Sequence, residues 1–295
     1  MKMNFKLIGK YFVGAMLLMS GVMFTACKDD DDDDGNDGKT DPSTIAAANL
    51  VAYFPFEAEG EAVQKATTIT FSKKVGAGAF VTGRRGKAYQ GSDTQNYLEY
   101  NLAAGNPLST LDEITLALWI KTPVTTSGAA KIFAVNGGDA FMGNLTLMQE
   151  SQALGDSVDL KMYLFDSESP EWKGQDIRKN KPVFLNDKWF HLVAIYNKAT
   201  SKMQFYANGA LAFEQIKYAG PLPAGGTQPL LGPIKLGSDM SKIHFGAWPQ
   251  QIAGTPESWM TYFKGMIDEF RIYNKALTDQ EIKDLYDAEV SQITE

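Results

Sequence analysis

The stretch Lys202-Met203-Gln204-Phe205-Tyr206-Ala207-Asn208-Gly209-Ala210-Leu211-Ala212-Phe213-Glu214 decides the fold class. Two runs rich in aromatic and aliphatic residues flank Asn-Gly, which supplies the two positive-φ residues of a type I′ turn. The twist of that turn matches a pair of antiparallel strands, so the sequence predicts a β-hairpin. Working outward, Leu160–Phe165 and Trp189–Tyr196 are two further runs rich in aromatic and branched residues. Ile114–Lys121 alternates Ile, Leu, Leu, Ile on one face with Thr, Ala, Trp on the other; both faces are largely apolar, as expected of a buried inner strand. Leu50–Phe56 reads as an opening strand in which Pro55, lacking an N–H donor, marks an edge or bulge. Ile234–Gly237 and Gly265–Tyr273 read as the last strands. Helical periodicity appears only near the end, where Thr278 and Glu281 form a capping box and Ile282, Leu285 and Tyr286 share one face. Strands dominate, which predicts an all-β protein: a two-sheet antiparallel β-sandwich with a short C-terminal helix.

Composition narrows the function. The 295 residues are 44% hydrophobic and 21% charged, which excludes disorder throughout. A net charge of -7 offers no basic field for phosphates, so nucleic acid is excluded as a partner. One cysteine, Cys27, excludes a disulfide framework and a Cys-based zinc site. His191 and His244 are the only histidines for metal or general-base work. No internal repeat or long low-complexity break interrupts the remainder, so residues 48–290 are expected to form one domain.

Residues 1–26 have the form of a secretory signal: Lys2, Lys6 and Lys10 precede an apolar run, Tyr11–Phe24, which leads to small residues at Thr25 and Ala26. That run is shorter than the about 20 apolar residues a spanning helix needs. Phe24-Thr25-Ala26-Cys27 resembles the lipobox of bacterial lipoproteins, with Phe24 in place of the usual Leu. The resemblance implies cleavage before Cys27, acylation of Cys27, and membrane attachment through a lipid anchor only. Residues 27–47 follow as an acidic linker, with six consecutive aspartates from Asp29 to Asp34 that repel one another and bury nothing. Their position after Cys27 resembles the acidic signal that sends lipoproteins of glycan-degrading Gram-negative bacteria to the outer face of the outer membrane. Such a location, lipid-anchored and facing the cell exterior, is therefore expected. Residues 27–41 carry a net -6 and residues 42–295 only -4, so the acidity is concentrated in the tether.

Several blocks of the domain occur in a recognisable order: Leu50–Glu57, Gly86–Tyr89, Tyr97–Tyr100, Ile114–Lys121, Lys188–Tyr196, the Asn208-Gly209 hairpin, Ile234–Gly237, and Met266–Tyr273 before Ala276–Ile282. In that order they resemble a laminin-G-like, concanavalin A-like jelly roll. The resemblance implies two facing antiparallel sheets and carbohydrate or protein ligands, but no reaction, because the fold hosts lectins, adhesive modules and glycosidases alike. It also implies a structural calcium ion near the ends of the first and last strands, which falls here on Glu57 and Asp268. Calcium takes six to eight oxygens, and the sequence does not supply the others.

Catalytic chemistry is weakly signalled. A glycosidase needs two carboxyls converging on one bond. Asp166, Glu168 and Glu171 have the closest spacing, but Pro170 and the serines make that stretch a loop. Asp268 and Glu269 are adjacent, and on a regular strand they point to opposite faces. His191, between Phe190 and Leu192, reads as structural, whereas His244 lies in a loop-like region where it could touch a ligand. Trp119 and Trp189 sit in apolar strands and read as core. Trp172, Trp248 and Trp259 lie in Gly-, Pro- and Ser-containing stretches, where an indole can offer its face to a sugar. The leading expectation is a non-catalytic, surface-anchored glycan-binding lipoprotein that captures polysaccharide for uptake beside other surface glycan-uptake proteins. A concanavalin A-like glycoside hydrolase and an adhesive, protein-binding module are the alternatives.

Overall fold

A computed structural model describes residues 40–137, 141–152, 155–168 and 174–293. Cys27, the aspartate run, Glu171 and Trp172 lie outside the described residues. In chain order the strands are β1 (Leu50–Phe54), β2 (Ile69–Gly76), β3 (Ala79–Thr82), β4 (Lys87–Gln90), β5 (Asn96–Leu102), β6 (Ile114–Lys121), β7 (Ala129–Asn136), β8 (Leu145–Glu150), β9 (Ser157–Phe165), β10 (Gly174–Leu185), β11 (Phe190–Asn197), β12 (Lys202–Ala207), β13 (Ala210–Ile216), β14 (Lys242–Phe245), β15 (Met260–Thr261) and β16 (Met266–Tyr273). One turn of helix, α1 (Pro249–Ile252), and a C-terminal helix, α2 (Asp279–Ser291), complete the regular elements.

The strands form two eight-stranded sheets. The first runs β13-β12-β11-β6-β16-β4-β3, with β1 also paired to β16; the second runs β10-β9-β8-β7-β14-β5-β2, with β15 added to β7. Every pairing is antiparallel except that of β15 with β7. The expected hairpin is present: Asn208 and Gly209 have φ of 50° and 79°, and Ala207 pairs with Ala210. Side chains alternate into a shared core, where Phe54, Phe133, Phe245 and Phe270 from four different strands meet with ring centroids 4.7 to 6.0 Å apart.

The following elements differ from the sequence reading. The opening strand stops at Phe54, one residue before Pro55; Phe56 then takes φ 62° while staying buried, and this turn directs Glu57 toward the β3–β4 connection. Ile234–Gly237 is not a strand, although Ile234 and Leu236 are fully buried. Its backbone is held instead by loop contacts, Ile234 N–H to Asp112 O at 3.1 Å and Ser167 N–H to Lys235 O at 2.8 Å. The linker expected through residue 47 ends earlier, because Asp41 caps a 3-10 turn over Pro42–Thr44, and Ile45 and Ala46 pack against the first sheet's outer apolar cluster.

Candidate functional site

The outer faces of the two sheets are finished differently, and this places the site. The first sheet is roofed by α2, whose Thr278–Glu281 capping box fixes its start and whose Ile282 and Leu285 pack on Ala117, Val193, Ile195 and Tyr273. Beneath the helix lies a buried ionic network. Arg271 pairs with Glu289 of α2 and, at 2.6 Å, with Glu269, which also accepts from Tyr53 Oη at 2.6 Å and from Arg85 at 2.5 Å. Trp119 donates its indole N–H to Glu289 at 2.8 Å. His191 is fully buried here, and burial, aided by Arg271, holds its pKa down to about 3, so it stays neutral. Trp119 is therefore buried under the helix rather than between the sheets, while Trp189 is only half-buried.

Asp268 and Glu269 depart from the expected alternation. A bulge between Asp268 and Arg271 gives Glu269 a φ of 54°, and the two carboxylates face the same β3–β4 turn. Asp268 Oδ2 accepts from the backbone N–H of Arg84 at 2.8 Å and of Arg85 at 2.9 Å, while Glu269 takes the Arg85 guanidinium. Glu57 reaches the same turn, its Oε2 accepting from Lys87 N–H at 3.0 Å. Gly86 has φ 57°, and a Cβ there would fall 2.3 Å from Glu57 Oε1, so glycine is needed for this approach. Asp268 Oδ1 is buried without a hydrogen-bond partner. Burial, reinforced by the charges of Glu269 and Glu57, pushes the Asp268 pKa up to about 8. Hard oxygen donors and an unsatisfied carboxylate oxygen suit a calcium-like cation in kind. They do not supply its number of ligands: no cluster of three His, Cys, Asp or Glu side chains with metal-site geometry occurs among the described residues.

The second sheet carries loops instead of a helix. Trp248, Met148, Met260 and Ala129 form a small apolar cluster, with Met142 packed against it. Trp248 is fully buried and donates its indole N–H to Ala129 O at 2.8 Å. Lys131 Nζ lies 4.5 Å from the Trp248 ring centroid and donates to Met142 O at 2.6 Å, which ties the loop after β7 to the sheet. Two rings emerge from this base. Trp259 is 40% exposed and Phe141 43%; their centroids are 6.0 Å apart, and Trp248 lies edge-on to Trp259 at 5.0 Å. Trp248 thus supports the aromatic platform rather than forming its face, because its indole is consumed by packing and by its carbonyl bond. Trp259 is the exposed member of the expected tryptophans among the described residues.

Next to the platform lies a polar array. His244, expected in a loop-like region, instead lies on β14, where the pairing of that strand between β5 and β7 sets it in register with Glu99 and Ala134 and largely buries its side chain. Its Nε2 lies 3.1 Å from Glu99 Oε2 and its Nδ1 2.5 Å from Asn136 Nδ2. Asn136 Nδ2 can only donate, so Nδ1 accepts and Nε2–H donates to Glu99. This is a neutral tautomer, consistent with burial lowering the His244 pKa against the opposing pull of Glu99. Glu99 also accepts from Lys242 at 2.9 Å and Ser72 at 3.0 Å. Burial would raise its pKa, but these donors outweigh burial and bring it down to about 2. The Tyr97 ring stands edge-on to His244 at 5.9 Å. Glu99 escaped the sequence reading, although the alternation in Tyr97-Leu98-Glu99-Tyr100-Asn101 marks it as a polar residue on an outward face.

Among the described residues, no pair of free carboxyls converges on this face. Glu150 and Asp159 are paired in register, but each is neutralised by Lys161 or Arg178, with Arg178 2.8 Å from Asp159 and Lys161 3.6 Å from Glu150. Asp166 accepts from the backbone N–H of Lys235 and Glu168, and Glu168 pairs with Lys235 at 2.5 Å.

Two facing antiparallel sheets with these connections define a concanavalin A-like sandwich. The Laminin_G_3 family model, described as the concanavalin A-like lectin/glucanases superfamily, matches residues 91–283, and the chain belongs to that superfamily. None of the curated proteins matches the chain. Among solved structures it is similar to the binding domain of Paraclostridial Mosquitocidal Protein 1, at 18% identity and a TM-score of 0.57, over 81% of this chain and 52% of that one. It is also similar to the botulinum neurotoxin serotype G binding domain, at 14% identity and a TM-score of 0.56, over 81% and 50%. The binding domain of botulinum neurotoxin DC, solved in complex with rat synaptotagmin II, matches at 14% identity and a TM-score of 0.54, over 82% and 52%. The chain thus spans about half the length of these structures, and at such identities the likeness is one of fold.

Proposed function

We propose that the protein is a non-catalytic glycan-binding module whose ligand lies on the outer face of the second sheet. The observation that carries this reading is the exposed pair Trp259 and Phe141, held by the buried Trp248 beside the Glu99–His244–Asn136 array. A rigid aromatic face stacks on the C–H side of a sugar ring, and nearby polar side chains fix its hydroxyls. The middle of the first sheet's outer face is covered by α2, which leaves no comparable aromatic platform among its described residues. Similar structures include receptor-binding domains, and the cell entry of botulinum neurotoxin type C, which has such a fold, depends on interaction with two ganglioside molecules. Acylated Cys27 and the acidic stretch after it would anchor the module to the outer membrane, facing the exterior, where it would hold polysaccharide for uptake with partner proteins.

Calcium at Glu57 and Asp268 belongs to the same proposal. The ion would take the place of the proton on Asp268 and join β1, β16 and the β3–β4 turn, a structural role remote from the aromatic platform. Binding of the purified protein to a glycan array, repeated with Trp259→Ala, tests the main reading. Retention lost in the variant with an unchanged melting temperature supports it, and equal retention by both proteins removes it. A melting temperature unmoved by a chelator and by added calcium removes the ion.

A further inference from the structure

A second polar region, distinct from the aromatic platform, lies at the end of the sandwich where β4, β6, β7 and β15 meet their loops. Two small clefts adjoin there. One, of about 190 Å³, is lined by residues including Asp93, Thr125, Gln149, Tyr262 and Lys264. The other, of about 180 Å³, is lined by residues including Gln90, Lys121, Asp187 and, again, Lys264. Each is below the about 300 Å³ of the smallest drug-sized sites and suits one small polar ring. Sharing Lys264 makes them neighbouring subsites.

The walls are fixed before any ligand arrives. Gly91 N–H donates to Gly265 O at 2.8 Å, and a Cβ at Gly91 would fall 1.9 Å from Phe263 O, so only glycine allows the Asp93 loop to lie against the Lys264 segment. On the other side Asp187 N–H donates to Thr122 O at 2.9 Å, and Val124 N–H to Asn186 Oδ1 at 2.9 Å. Thr122 and Pro123 hold both ends of the Gln149 amide, at 2.9 and 2.6 Å. Preorganised polar walls reduce the ordering cost of binding.

The charges select the ligand. Lys161, Lys198, Lys202, Lys235, Lys242, Lys275 and Lys283 have carboxylate partners. Lys121 and Lys264 have none among the described residues; other lysines, such as Lys179 and Lys181, share that property, but Lys121 and Lys264 line one cleft together. Asp93 and Asp187 supply acceptors for hydroxyl groups, Tyr262 a ring face, and Thr125 a hydroxyl. We infer that these adjoining clefts bind a two-residue segment of an acidic glycan, with a uronic-acid carboxylate held between Lys121 and Lys264 and sugar hydroxyls donating to Asp93 and Asp187. This rests on the glycan-binding reading and gives the ligand its charge.

The test is calorimetric titration of the full chain with oligosaccharides of galacturonate, glucuronate and mannuronate, each beside its carboxyl-reduced neutral counterpart. At least one acidic series is expected to bind about tenfold more tightly than its neutral form. Lys264→Gln, a substitution at an exposed residue outside the platform, should remove that preference, so that the acidic and neutral forms bind alike, and leave the melting temperature unchanged. Lys121→Gln serves as a second variant with the same expectation. No acidic series preferred over its neutral form, or a preference that survives both variants, overturns the inference. If neutral oligosaccharides still bind and depend on Trp259, the platform reading stands alone; if no oligosaccharide binds at all, both readings fall.

Discussion

The outer faces of the two sheets solve the same problem in opposite ways, and a carboxylate on each shows how. For both Asp268 on the first sheet and Glu99 on the second, burial opposes ionisation. Asp268 meets two backbone N–H groups and the negative charges of Glu269 and Glu57, so its pKa rises to about 8. Glu99 meets Lys242, His244 and Ser72, and its pKa falls to about 2. Burial alone therefore does not set the ionisation state; the neighbouring donors decide it. The first face is sealed by a helix over an ionic network, whereas the second is closed by loops whose aromatic residues reach solvent. A face built for stability and a face built for contact should respond differently to mutation.

The largest effect is expected from Arg271→Ala. It leaves Glu269 and Glu289 buried without their cation, and chemical denaturation should show a loss of about 3–5 kcal/mol. A smaller loss would mean that α2 roofs the sheet by apolar packing alone. On the second face, Trp248→Ala should cost about 3 kcal/mol and also weaken glycan binding by releasing Trp259 and Phe141. Intact binding in that variant would show that the platform does not depend on its base.

Acid titration sharpens the contrast between the two carboxylates. The folded-state pKa of Asp268 is raised from its ordinary 3.8 to about 8, so the folded form holds a proton that the unfolded form has lost. In the absence of a cation, stability should fall as pH rises from about 4 to about 8, and Asp268→Asn should flatten that slope. Glu99 has the opposite sign. Its pKa is lowered from 4.5 to about 2, so its contribution is present above pH 4.5 and lost as pH falls toward 2; Glu99→Gln should remove that acid-side loss. Urea melts across this range read both slopes, and slopes of equal sign would refute the comparison. The smallest effect on stability should come from Trp259→Ala, within about 0.5 kcal/mol because the ring is partly exposed, while glycan affinity drops about fivefold, measured by calorimetry.

Legibility in the sequence followed locality. The Asn208-Gly209 turn and the Thr278–Glu281 capping box were readable because each is completed within a few residues by its own backbone demands. Ile234–Gly237 misled because alternating burial also arises in an irregular segment whose backbone bonds to loops. The Glu269 bulge has no local signature: its positive φ is held by Arg85, Arg271 and Tyr53, which lie on different strands or turns. Among the site residues Trp259 was legible as a loop tryptophan, but Phe141 was not, since nothing near it in sequence announces that it will stand beside Trp259.

The sequence by itself determined the class of fold and the position of its closing helix, because strand alternation, turn dipeptides and caps act over distances the chain cannot change. It also marked the acidic stretch after Cys27, which is a matter of composition. Tertiary structure alone decided which tryptophan is exposed, which carboxylate keeps its proton, and which lysines stand over a common cleft with no carboxylate partner among the described residues. Each of these depends on what another part of the chain brings within a few ångströms, and no window of sequence contains that.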